Sequence, residues 1–174
     1  HTLESVPDAP DSPLATGEVD IFVGSNYILS VRHRTRKGFN DVRARCEREP
    51  ALLRYGSGFV LYALMDNVVD RYFPILEALE SELEQIEENI FVRNTARSNI
   101  ESLYALKQKL MLLTHAVDPL MEATGKLYGG RVPPVCAGMG EYFRDVYDHL
   151  HRIHASIEGI RDMLTTAIQV NLGM

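Results

Sequence analysis

The sequence predicts a mostly α fold in which three long helices follow a short β-hairpin. Three stretches, starting near residues 57, 98 and 141, repeat apolar side chains at alternating steps of three and four residues. This spacing is typical of a buried helical seam, as in a coiled coil. Because only a short connector joins the first two stretches, we expect them to form an antiparallel helical hairpin, with the third long helix beside it.

The amino-terminal part of the chain carries the β-hairpin signal. Residues 1–18 contain three prolines among small polar residues and are predicted to be a linker. Residues 19–23 and 27–31 are short β-rich runs on either side of a Gly-Ser-Asn turn. Two strands alone are marginal in water, and no further strand pattern is evident. We therefore expect the sheet to be incomplete, with its missing strands ahead of residue 1.

The helical elements follow from apolar spacing and from breakers. A short helix is predicted over residues 38–49, where Val42 and Cys46 lie four apart and Pro50 follows. The first long helix is predicted over residues 57–91. Pro74 lies inside it and has no N–H to donate to the carbonyl of the residue four before it, so we expect a kink there.

The second and third long helices have clear starting signals. The second is predicted over residues 98–127, and Ser98 with Glu101 forms a capping-box pattern at its start. A loop rich in glycine and proline covers residues 128–140. The third helix is predicted from Glu141 almost to the last residue, a length of roughly 45 Å at 1.5 Å per residue.

Composition excludes several classes of function. The 174 residues are 45% hydrophobic and 24% charged, which is ordinary for a folded domain. The net charge of −6 argues against a general nucleic-acid binder and is compatible with binding divalent cations. The longest apolar run, residues 59–65, is too short to cross a membrane, so we expect the chain itself to be soluble.

Catalytic signatures are also missing from the sequence. No hydrolase, kinase or nucleotide-binding pattern occurs, and we predict that the chain is not an enzyme. Cys46 and Cys136 lie far apart and belong to no Cys-x-x-Cys pair, so both are predicted to be free thiols.

One side of the third helix carries polar residues about 120° away from its apolar seam. They are Asp145, Asp148, His149, Arg152, Ser156 and Gly159. Glycine costs about 1 kcal/mol in a helix interior, so Gly159 predicts the close approach of a neighbouring helix or subunit. A second contact surface beside the seam favours oligomerisation.

Acidic residues recur at helical spacing on two helices. Asp66 and Asp70 lie four apart on the first long helix, and Asp145 has Asp148 three residues and His149 four residues further on. Carboxylates on two surfaces can hold Mg²⁺, which keeps several waters, although a solvated acidic face is the alternative.

A zinc site built from histidines of the third helix is a weaker alternative. His149, His151 and His154 are close in sequence. However, the side chains at 149 and 151 point about 160° apart on a helix, so the three imidazoles converge poorly.

Two sequence stretches resemble the CorA magnesium/cobalt transporters. Residues 142–149 read YFRDVYDH and look like the start of the long stalk helix of that family. Residues 62–73 read YALMDNVVDRYF and look like the first of the two helices that pack beside the stalk. The hairpin, the short helix and the Val-Pro-Pro loop at 132–134 fall in the expected order, so the resemblance covers roughly residues 19–172.

The resemblance implies an architecture larger than this chain. Residues 19–56 would be the remnant of an α/β domain, and residues 57–174 would be the helical region that includes the stalk. The chain would be a fragment from the cytoplasmic side of the inner membrane, part of a homopentamer. The two membrane helices and the family's Gly-Met-Asn signature are absent from it, so the fragment could not transport by itself.

The resemblance also implies a regulatory ion. In the family, Mg²⁺ bound between the cytosolic domains of adjacent protomers holds the closed state, and Co²⁺ is a possible second ion. The matching positions here are Asp66 and Asp145, whose acidic partner would lie in the missing amino-terminal region. Gln169, where relatives can carry aspartate, and Pro74 depart from the family pattern.

The leading functional hypothesis is therefore the cytoplasmic regulatory portion of a Mg²⁺ or Co²⁺ channel or transporter. Such a portion senses cytosolic Mg²⁺ at subunit interfaces and gates the pore. One alternative is the cytosolic domain of a zinc transporter like ZntB, which shares the architecture. Another is a helical scaffold for protein interaction, and a zinc-dependent enzyme built on the histidines is the remaining one.

Overall fold

The computed structural model describes residues 2–5, 14–35, 37–90, 96–129 and 132–173. Within these residues, three strands precede six α-helices, which confirms the predicted mostly α fold with a small antiparallel sheet. The strands are β1 (Thr2–Ser5), β2 (Leu14–Val23) and β3 (Ile28–His33). The helices are α1 (Asn40–Arg48), α2 (Pro50–Leu53), α3 (Ser57–Asp70), α4 (Tyr72–Ile90), α5 (Ala96–Tyr128) and α6 (Gly140–Gly173).

The sheet is antiparallel in the order β1-β2-β3. Thr2 pairs with Gly17, and Val23 pairs with Ile28 beside the predicted turn. The prediction of a linker is wrong for residues 2–5 and 14–18, which are strands. The three prolines lie between β1 and β2 in sequence, in a segment that the structure does not describe. The expectation that every further strand precedes residue 1 is therefore also wrong.

The short helix after the hairpin is confirmed. In α1, Val42 and Cys46 are 4% and 7% exposed and belong to the same core as α3. The helix ends at Arg48, and Pro50 then occupies the first turn of α2, a position at which its missing N–H costs nothing.

The first predicted long helix is two helices, α3 and α4, with an interruption at Arg71. Pro74 cannot donate to the carbonyl of Asp70, and its ring crowds that carbonyl. The N–H of Arg71 bonds to the carbonyl of Val68, three residues back and 3.2 Å away, so the turn tightens locally. The helix is therefore disturbed at the expected place, as a break between two helices where a kink in one was predicted. The predicted last residue, Phe91, lies outside the described residues.

The second long helix, α5, begins two residues earlier than predicted. Its first residue is Ala96, so Ser98 lies inside the first turn and is not the N-cap, and the capping-box prediction is wrong. Pro119 is inside α5, which remains helical across it.

The long helices share one core. The chain reverses between α4 and α5 and again between α5 and α6, so α6 runs parallel to α3 and α4 and antiparallel to α5. Lys109 of α5 donates to both carboxylate oxygens of Glu82 on α4, at 2.9 and 2.8 Å. The α6 seam is 0–4% exposed along its whole length: Phe143, Val146, Leu150, Ile153, Ile157, Ile160, Leu164 and Ala167.

Two glycines show where backbones approach closely and where they do not. A Cβ at Gly58 would lie 2.4 Å from the carbonyl oxygen of Val135, so α3 packs directly on the single 3₁₀ turn Pro134–Cys136 that precedes α6. This contact fixes the start of α6 against α3. At Gly159, apart from the glycine, its chain neighbours and the nearby backbone of α6, no atom of the described residues lies within 4 Å of an added Cβ. The expected close approach of a helix of the same chain is therefore wrong there.

Candidate metal centre

A polar groove of about 480 Å³ runs between α3 and α6. One wall comes from residues four apart on α3, and the other from residues three and four apart on α6, so each helix presents one face to the groove. The fixed start of α6 sets the register between the two walls. The lining residues are Tyr62, Asp66, Asp70, Asp145, Asp148, His149 and Arg152.

Three side chains in the groove converge closely enough to share one ion. Asp66 and Asp70 from α3 and His149 from α6 each offer a ligand atom, and these atoms lie within 4.8 Å of one another. Asp66 is 8% exposed, whereas Asp70 is exposed. Asp145 lines the same groove, is exposed, and lies outside this tight group.

Arg45 of α1 reaches the groove from the side. Its Nη1 donates to Oδ2 of Asp66 at 2.6 Å, and its Nη2 donates to the hydroxyl of Tyr62 at 3.1 Å. The guanidinium also lies over the ring of Tyr62, 5.3 Å from its centroid. A largely buried carboxylate needs such a partner, because an unpaired buried charge is costly.

The electrostatics of the groove follow from burial and from the carboxylates it concentrates. Burial raises the pKa of Asp70, and the neighbouring Asp66 raises it further, while His149 and Arg45 oppose both. Burial also raises the pKa of Tyr62, so its hydroxyl stays neutral at physiological pH. The groove therefore holds negative charge in a partly desolvated place, where a cation is favoured.

The imidazole of His149 is held in place by an aromatic contact. Its ring meets the ring of Phe73 edge to face, with centroids 5.8 Å apart. Its Nδ1 is buried and has no hydrogen-bond partner among the described residues. The ring therefore lines the groove, and its Nδ1 is a donor or an acceptor according to the tautomer.

These donors fit a small divalent cation. Carboxylate oxygens suit Mg²⁺, which also keeps several of its waters, and a groove of about 480 Å³ has room for them. An imidazole nitrogen beside carboxylates also suits Co²⁺ or Zn²⁺. The groove therefore offers oxygen and nitrogen donors of the kind that a divalent cation takes.

The groove brings together the two predicted ligands, Asp66 and Asp145, and Asp148 with them. The histidines of α6 go to three different surroundings: His149 lines the groove, His151 lies near the ring of Tyr147, and His154 bonds to Asp118 of α5 at 3.0 Å. Sequence reasoning missed two features. Arg45 gave no signal, and the approach of His149 to Asp70 depends on the register of two helices far apart in sequence.

Comparison with known proteins places the whole chain in one family. The profile described as CorA-like Mg²⁺ transporter protein matches residues 2–170. The chain is 29% identical to the cobalt/magnesium transport protein CorA of Thermotoga maritima over 160 residues, which is 91% of this chain and 45% of that protein. It is 30% identical to the putative metal ion transporter YfjQ of Bacillus subtilis over 150 residues, 86% of this chain and 47% of that protein.

The match covers only part of each relative. The chain spans about half the length of the curated relatives that it matches. Among the described residues, none of the helices is both long and apolar enough to cross a lipid bilayer. The profile nevertheless covers nearly every residue of the sequence, from β1 to the last turns of α6. The chain belongs to the CorA-like Mg²⁺ transporter family.

Proposed function

We propose that this chain is the cytoplasmic regulatory portion of a Mg²⁺ or Co²⁺ transporter, and that the groove between α3 and α6 senses the cytosolic ion. One observation carries the proposal: Asp66 from α3 and Asp145 from α6 line a single groove. Family membership supports it, since relatives matched by the chain are named as cobalt/magnesium transport proteins.

The residues of the groove act by electrostatics. Asp145 and Asp148 are exposed at its rim, so they can share an ion with a second surface, whereas Asp66 lies deeper. A bound divalent cation neutralises these carboxylates and holds the two surfaces together. When the ion leaves, like charges repel across the boundary, and the subunits move apart.

The assembly follows from the same proposal. The second surface belongs to an adjacent copy of the chain in a homopentamer at the cytoplasmic side of the inner membrane. The membrane-spanning segments lie in the part of the protein outside this chain, in line with its covering about half of its relatives' length. Mg²⁺ is both the regulating and the transported ion, and Co²⁺ is a second substrate.

The test of this function is the substitution Asp145→Ala in the full-length transporter. We expect inhibition of uptake to require about ten times more cytosolic Mg²⁺, because one carboxylate of the shared site is lost. The measurement is ion uptake into vesicles loaded with increasing Mg²⁺. Asp162→Ala is the matched control, since Asp162 is an exposed carboxylate further along the same helix and away from the groove.

Two outcomes distinguish the proposal from its competitors. Unaltered Mg²⁺ inhibition in the Asp145→Ala protein would remove the sensing role of the groove. His149 beside Asp66 and Asp70 gives some support to a zinc transporter like ZntB, because imidazole suits Zn²⁺. Uptake of Zn²⁺ in preference to Mg²⁺ in the same vesicles would favour that function.

A further inference from the structure

We infer that Arg45 is a built-in competitor of the divalent cation at Asp66, and that it sets the ion concentration to which the groove responds. This inference rests on the proposed function and adds a residue from outside the two groove helices. Arg45 belongs to α1, and its guanidinium occupies Oδ2 of Asp66 at 2.6 Å.

The contacts of Arg45 hold its guanidinium in a fixed position. Its stem leaves α1, whose buried Val42 and Cys46 belong to the same core as α3. Its planar head makes one hydrogen bond to Asp66 and one to Tyr62, and it lies over the Tyr62 ring. Both partners line the groove. These two hydrogen bonds hold the guanidinium in one orientation, whereas a flexible surface arginine has no such fixed orientation.

The same contacts oppose the binding of an ion. A cation that binds Asp66 meets a fixed positive charge about one hydrogen bond away, and it must share the carboxylate with that charge. Arg45 therefore lowers the affinity of Asp66 for any cation, and most for a divalent one. A weaker site is filled only at a higher ion concentration, so the arginine raises the ion concentration at which the groove responds.

A second carboxylate, that of Glu49, offers the Arg45 guanidinium an alternative ion pair. Glu49 lies one helical turn beyond Arg45, with its Oε1 3.6 Å from the Nε of the arginine. When an ion takes Asp66, a rotation of the side chain can strengthen the contact with Glu49 and leave α1 in place. Arg45 thus has two acidic partners, and ion binding at Asp66 shifts the guanidinium toward Glu49.

The test uses the 174-residue chain and Mn²⁺ as a paramagnetic probe, with Mg²⁺ as competitor. Arg45→Met removes the charge and keeps an apolar stem over Tyr62, whereas Arg45→Lys keeps the charge and loses the planar guanidinium. We expect Arg45→Met to bind Mn²⁺ roughly tenfold more tightly than the unchanged chain, and Arg45→Lys to stay within about threefold of it. Electron paramagnetic resonance of free Mn²⁺ measures both.

Two further variants complete the design. Arg43→Met makes the same charge change two residues away on α1, where the side chain is 82% exposed and pairs with Glu47. It should leave Mn²⁺ binding unchanged. Asp66→Asn in the Arg45→Met background should remove the added affinity. As a second readout, Mg²⁺ should raise the melting temperature of Arg45→Met by more than that of the unchanged chain, although Arg45→Met melts lower without ions.

Each outcome has one meaning. Equal or weaker Mn²⁺ binding by Arg45→Met overturns the inference, since the arginine would then serve only to hold Asp66. Tighter binding that persists in the Asp66→Asn background, or that Arg43→Met reproduces, overturns it as well. The proposed function is judged separately by Asp145→Ala in transport, so either conclusion can fail without the other.

Discussion

Asp66 is a buried carboxylate whose charge is compensated from outside its own helix. It is 8% exposed, and its oxygen accepts a hydrogen bond from Arg45 of α1 at 2.6 Å. Removing one partner of such a pair leaves an uncompensated charge, so Arg45 and Asp66 each depend on the other. The contact therefore ties α1 to α3 at the groove.

The two thiols illustrate how burial controls reactivity. Cys46 is 7% exposed and Cys136 is 0% exposed, and both are free. Burial raises the pKa of each thiol, so the reactive thiolate is scarcer at any given pH than on an exposed cysteine. We expect labelling by Ellman's reagent to be more than about tenfold slower in the native protein than in the denatured chain.

Absorbance of the released thiolate follows this reaction, and free cysteine is the control for the reagent. Raising the pH should speed native labelling, because it populates the thiolate. Immediate labelling of both thiols in the native protein would contradict the burial of Cys136 against α3.

The sequence indicated only some of the residues that meet in the groove between α3 and α6. Asp66 and Asp145 were predicted from the resemblance, and the helical spacing of Asp66 with Asp70 was visible. The meeting of Asp70 with His149 was not, because it depends on the axial register of α3 and α6. That register is set by contacts such as Gly58 against the backbone of Val135, which no local pattern encodes.

The helices are the elements that the sequence predicts best, because apolar periodicity reports directly which face is buried. The eight residues of the α6 seam are all buried, as the spacing of three and four predicts, and Pro74 marks the break between α3 and α4. The strand β1 was missed because four residues carry too little alternation to be recognised beside a proline-rich stretch. Whether these four residues form a strand depends on their pairing with β2, which is a non-local interaction.

Gly58 and Gly159 make opposite predictions for the same substitution. Gly159→Ala should stabilise the chain by about 1 kcal/mol, because alanine is the better helix former and no described atom beyond the local α6 backbone and the chain neighbours lies within 4 Å of the new methyl group. Gly58→Ala should destabilise it by about 2 kcal/mol or more, since the methyl group meets a backbone oxygen at 2.4 Å. Urea unfolding measures both changes.

These two variants control for each other, because both replace a glycine inside a helix. If Gly159→Ala is instead destabilising for the chain alone, its surroundings are more crowded than described. If it stabilises the chain and weakens assembly of the full-length protein, the close approach expected at Gly159 comes from another subunit.

The whole molecule has one core that runs from α1 to α6. We therefore expect a single unfolding transition, with far-ultraviolet circular dichroism and tyrosine fluorescence changing together. Tyrosine is a clean probe because the chain has 8 tyrosines and no tryptophan. Tyr62 and Tyr72 are buried, so their emission reports tertiary packing.

Ile153→Ala tests this cooperativity. Ile153 is 0% exposed on α6, so its truncation should cost about 2–5 kcal/mol and shift both signals equally. Leu172→Ala is the control, since that side chain is 73% exposed and its loss should cost less than about 0.5 kcal/mol. Separation of the two signals would mean that the long helices and the sheet unfold independently.

The unbroken length of α6 turns a small change at one end into a large one at the other. The helix is continuous from Gly140 to Gly173 and contains no proline, while Asp145 lies in its second turn. At about 1.5 Å per residue, its far end is roughly 42 Å beyond that aspartate. A tilt of about 5° at the acidic end would therefore sweep the opposite tip through roughly 4 Å, wider than a water molecule, so α6 has the dimensions of a lever arm.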